Sequence, residues 1–139
     1  HAGIAFVRRS AGLPGPAAQV WLGDSMGEMA AYYTVADIAF IGGSLLPLGG
    51  QNLIEAAACG CPTLVGPHTF NFLQATDDAI AAGAALRVAD AADLAAAVAR
   101  MLADTGEVGK MRAAAERFAN DHRGATRRTV ALIRSVLTA

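Results

Sequence analysis

The segment ADIAFIGGSLLPLGGQNLIEAAACGCPTLV, residues 36–65, begins with a short apolar run, Asp37–Ile41, that two glycines close. A second glycine pair, Gly49 and Gly50, follows an apolar tip. From Asn52 to Cys59 the residues take helical spacing, and a β-branched run, Thr63–Val65, comes next. Strand, loop, helix and strand in this order make a βαβ unit, whose right-handed crossover requires parallel strands. The segment therefore places the chain in the α/β class.

Working outward, similar short runs bounded by Gly, Pro or Asp occur at Ile4–Arg8, Val20–Leu22 and Ala85–Val88, giving five strands. Met26–Val35 and Phe70–Ala82 carry helical spacing between them. Beyond the last strand, Ala91–Ala103, Glu107–Ala119 and Ala125–Leu137 predict three successive helices, punctuated by Gly106, Gly109 and Gly124. The expectation is one parallel sheet with flanking helices in a single domain, residues 1–139. In the last helix Val130, Leu132, Ile133, Val136 and Leu137 oppose Arg127, Arg128 and Arg134. That pattern predicts core packing, with an interface as the alternative.

Composition agrees with one compact core, since 54% of the 139 residues are hydrophobic and 17% charged. Alanine outnumbers all aromatics together, so the core is expected to pack small residues closely. A net charge of −1 gives no reason to expect a nucleic-acid partner. The basic residues gather after position 99, which reads as a solvated helix surface or a dock for membrane phosphates. Cys59 and Cys61 are too few for a four-ligand zinc site and poorly spaced for a disulfide, so both read as free thiols of a cytoplasmic protein. No apolar run reaches the roughly 18 residues of a membrane span, and no signal peptide is recognisable. The chain starts at His1 and enters a strand almost at once, which reads as a segment of a longer protein. An uncovered strand edge would then favour self-association.

In α/β sheets ligands bind outside the carboxyl ends of the strands, and three loops there carry unusual chemistry. After the second strand comes Gly23-Asp24-Ser25-Met26-Gly27-Glu28, readable as a helix cap with a capping box or as a ligand loop. After the third come the two glycine pairs, where the backbone can approach a ligand and the amides at the helix start suit a phosphate. Glu55, one turn into that helix among alanines, can accept two hydroxyl hydrogen bonds, as from a ribose; the alternative is a solvated helix residue. After the fourth comes Gly66-Pro67-His68-Thr69-Phe70-Asn71, in which a lone His is more often structural than a ligand. The glycines form neither a Rossmann G-x-G-x-x-G nor a P-loop. No acid, base or nucleophile constellation is complete, so no catalytic residue is assigned within this chain.

The strings FVRRSAG, LGDSMGEMAAYY and ADIAFIGGSLLPLGGQNLIEAAACGCPTLVGPHTFNF closely resemble the C-terminal half of the 3-deoxy-D-manno-octulosonic acid (Kdo) transferases, from about Ile4 to Phe72 and more weakly beyond. The resemblance implies the C-terminal, donor-binding half of a GT-B fold. It also implies transfer of Kdo from CMP-Kdo to the lipid A precursor in lipopolysaccharide assembly, at the cytoplasmic face of the bacterial inner membrane and without a metal. The acceptor and the general base would belong to an N-terminal domain. By motif, Gly23, Asp24 and Met26 would border the cytosine, and Gly42, Gly43, Ser44, Gly49, Gly50 and Asn52 would form the phosphate turn. Glu55 would hold the ribose, and His68, Phe70 and Asn71 would face the donor sugar. Gln51 stands where the family usually has His, so this position can donate a hydrogen bond but carries no proton to a leaving phosphate. A UDP-sugar transferase or epimerase would show the same turn. A non-catalytic nucleotide-binding module with basic docking helices is the alternative of a different class.

Overall fold

A computed structural model describes residues 3–122 and 125–137. The strands are β1 (Phe6–Arg8), β2 (Val20–Leu22), β3 (Ala39–Phe40), β4 (Thr63–Val65) and β5 (Ala85–Arg87). The helices are α1 (Met29–Val35), α2 (Leu53–Ala58), α3 (Leu73–Ala81), α4 (Ala91–Ala103), α5 (Thr105–His122) and α6 (Ala125–Leu137). All strand pairs are parallel, as the βαβ reading requires.

The single expected sheet is divided in two, β1–β2 and β3–β4–β5. Local runs identify strands, but sheet order depends on which edges meet, and β1 and β3 each hydrogen-bond on one side only. Across the division the link is by helices and loops: α1 packs on α2, and Arg112 of α5 donates to the Ala36 carbonyl.

The core lies on the three-stranded sheet. Strand alternation sends Leu64 to one face, where it meets Val88, Ala97 and Met101, and Val65 to the other, where Leu53, Ala57, Ala79, Ala115 and Phe118 cover it. Alanines contribute from α2, α3 and α5, so the helices approach the sheet closely, as the composition predicts.

Several boundaries differ from the sequence reading. α1 starts at Met29 rather than Met26 because Gly27 has φ +80°, a turn that breaks the helix. Gly106 and Gly109 do not punctuate: α5 runs through both, and Asp104 caps it by accepting from the Gly106 and Glu107 amides at 2.9 and 3.1 Å. Gly124 and the side chains of Arg127 and Arg128 lie outside the described residues. The apolar side of α6 is not in the core, since Leu132, Ile133, Val136 and Leu137 are all exposed. No described helix is long and apolar enough to cross a membrane.

Candidate functional site

The loops leaving β3 and β4 form one hydrogen-bonded unit at the carboxyl edge of the sheet. Ser44 is fully buried at its centre; its hydroxyl donates to the Ile41 carbonyl and accepts from the Gly66 amide at 2.9 Å. Its carbonyl receives the His68 amide, also at 2.9 Å. Asn71 closes the other end: its amide donates to Gly49 O at 3.2 Å and its Nδ2 to the carbonyls of Leu48 and Gly50 at 3.3 and 3.5 Å. Gly43, Gly49 and Gly50 all have φ between 72° and 89°, which explains these three glycines, whereas Gly42 is not left-handed.

These bonds occupy several of the expected site residues. Ser44 belongs to the turn, but its hydroxyl is spent inside the fold. Asn71 braces the turn with its side chain, and the Gly50 amide is taken by Gly43 O at 3.2 Å. The amides of Gln51 and Asn52, which lead into α2, are among those of the turn without partners among the described residues. The Asn52 side chain caps α2 by accepting from the Ile54 amide and donates through Nδ2 to Glu55 Oε1, both at 3.0 Å.

Glu55 is exposed between two recesses. One of about 320 Å³, near the lower end for small-molecule sites, is lined by Met29, Tyr33, Phe40, Ile41, Gly42, Gln51, Asn52 and Glu55. The other, about 460 Å³, is lined by Gly27, Met29, Ala30, Glu55, Ala58 and Cys59. Met29 and Tyr33 escaped the sequence reading, although their i, i+4 spacing puts both on the face of α1 that meets α2. Met26 lines neither recess and is 96% exposed. His68 is half-buried and Phe70 exposed, and neither lines these two recesses. Both thiols are free, and burial raises the pKa of Cys61.

The loop after β2 neither caps α1 nor forms a capping box. Asp24 instead accepts from the Ser10 amide at 2.9 Å and the Ser10 hydroxyl at 2.7 Å. Ser25 donates to Glu28, which also pairs with Arg9 at 3.0 Å, while the Arg9 guanidinium lies over Trp21. The Ser10 bonds hold the Asp24 carboxyl below its ordinary 3.8, and the Ser25 bond holds Glu28 below its ordinary 4.5. Depressed carboxylates contribute stability above their unfolded values and lose it as pH falls through the folded ones. The melting temperature is therefore expected to fall as pH drops below about 4, and Asp24→Asn to show a smaller fall when melting is followed against pH.

The parallel layers, with ligand loops gathered at one strand edge, define a Rossmann-like domain of the GT-B class. The chain belongs to the glycosyl transferases group 1 family, whose model matches residues 8–120. It is 54% identical over 131 residues to the 3-deoxy-D-manno-octulosonic acid transferase of Bordetella pertussis, covering 93% of this chain and 31% of that protein. The Haemophilus influenzae enzyme of the same name is 53% identical over 68 residues, 48% of this chain and 16% of that one. The crystal structure of the C-terminal CMP-Kdo binding domain of WaaA from Acinetobacter baumannii matches with a TM-score of 0.77 at 35% identity, over 83% of this chain and 61% of that one. The chain thus spans about a third of the length of the Bordetella relative.

Proposed function

We propose that this chain is the CMP-Kdo-binding part of an inverting Kdo transferase that acts on the lipid A precursor at the cytoplasmic face of the inner membrane. The observation that carries the reading is the position of Glu55, exposed between two recesses beside the double-glycine turn, in a chain 54% identical to a Kdo transferase. The carboxylate accepts the ribose hydroxyls, the amides of Gln51 and Asn52 face the phosphate, and the base lies toward Met29 and Gly27. The acceptor and the general base are supplied by the rest of a longer enzyme, so this chain alone binds donor without transferring it.

Calorimetric titration of the folded chain with CMP and with UMP tests the reading. CMP is expected to bind at least roughly tenfold more tightly, a difference of about 1.4 kcal/mol. Tighter binding of UMP would favour a UDP-sugar enzyme, equal affinities would overturn the cytidine preference, and no binding of either would overturn the donor site.

A further inference from the structure

We infer that Arg87 is a positioning residue for the donor edge, setting the Gly66–Thr69 loop and, through it, the glycine turn. The inference rests on the donor-site reading above. β5 ends at Arg87, which alternation places on the same face as Ala85, toward α3. Its Nη1 donates to Gly66 O at 3.0 Å, to the buried Thr69 hydroxyl at 3.3 Å and to Pro67 O at 3.5 Å. Its Nη2 donates to Asp77 Oδ1 on α3 at 3.1 Å.

One planar group therefore ties the loop after β4 to a core helix. The Asp77 pair alone does not account for it, because a half-exposed surface ion pair contributes little. The loop contacts distinguish Arg from Lys: a guanidinium fork reaches acceptors on two elements at fixed angles, whereas an ammonium is a point charge. From this loop the coupling is continuous. Gly66 N and His68 N bond Ser44, and Asn71 bonds the carbonyls of Leu48, Gly49 and Gly50. A shift of the loop moves Asn71, and Asn71 moves the turn that flanks Gln51 and Asn52.

The test compares amide NMR spectra and CMP affinity for the chain and for Arg87→Met, Arg87→Lys and Asp77→Asn. Arg87→Met is expected to shift the ligand-free signals of Gly49, Gly50 and Asn71 and to weaken CMP binding roughly tenfold. Arg87→Lys should fall between Arg87→Met and the parent. Asp77→Asn should leave signals and affinity in place, since the loop bonds remain. A role in stability alone would lower the melting temperature with those three signals unmoved, and that result overturns the inference. So does an unchanged CMP affinity. If the parent chain fails to bind CMP, the donor-site reading falls, while the ligand-free signals still decide whether Arg87 sets the turn. Should Arg87→Met not fold, Arg87→Lys and Thr69→Val carry the same comparison.

Discussion

Gly66→Ala is expected to lower the melting temperature by on the order of 10 °C, the equivalent of about 3 kcal/mol for a domain of this size. The glycine's backbone is not left-handed, so the effect comes from space. A Cβ there would lie 2.3 Å from the Ser44 carbonyl oxygen, 2.5 Å from its carbon and 2.6 Å from the Leu45 nitrogen. These are backbone atoms at a fully buried serine, and no side chain can rotate away to relieve them. The two loops must separate, which also breaks the Gly66–Ser44 and His68–Ser44 bonds. Gly42→Ala is the control: nothing lies within 4 Å of its Cβ position, so its melting temperature should match the parent within about 0.5 kcal/mol. Scanning calorimetry of the two variants checks both outcomes. An unchanged Gly66→Ala would mean that the loops are not in contact as described.

Gly66 shows what a sequence conveys and what it withholds. Its place after a β-branched run marks the end of a strand, and the glycine pairs at 42–43 and 49–50 announce a turn that needs left-handed backbone. All five strands were legible this way, because strand and turn signals are local. That Gly66 faces the carbonyl of Ser44, 22 residues earlier, is a tertiary fact without a local signal. The same holds for the sheet division, since β1 and β3 read alike whether or not their edges meet. The bonds that Ser44 and Asn71 make were hidden for a related reason. Both carry groups that suit a phosphate or sugar, yet Ser44 and Asn71 use theirs to satisfy backbone groups of a glycine-rich loop that forms no ladder of its own. Met29 rather than Met26 opens α1 because the helix start depends on one left-handed glycine. Glu55 was legible in position and exposure: a helix among alanines projects its first carboxylate toward the loop that leads into it.

Glu55→Ala is expected to weaken CMP binding by roughly 10- to 100-fold, since charge-assisted hydrogen bonds contribute about 1.5–3 kcal/mol. The fold should be little affected. The side chain is exposed, its one bond among the described residues is from Asn52 Nδ2, and the Asn52 cap on Ile54 is independent of it. Affinity alone does not show that the ribose is what Glu55 holds, so the decisive comparison uses CMP and 2′-deoxy-CMP on both proteins. If the carboxylate accepts the ribose hydroxyls, the parent should prefer CMP and the variant should bind both nucleotides alike. A preference that survives in Glu55→Ala places the ribose elsewhere. Tyr33 supplies a reading that needs no nucleotide. Burial raises its phenol pKa, and the Glu55 charge in the same recess raises it further. Glu55→Gln removes the charge and keeps the shape, so the alkaline absorbance titration of Tyr33 should move down toward its ordinary value of 10.0. A Tyr33 that titrates downward in a variant with no nucleotide preference would join the recess, the carboxylate and the ribose in one site. An unmoved Tyr33 would separate Glu55 from the recess whatever the affinities.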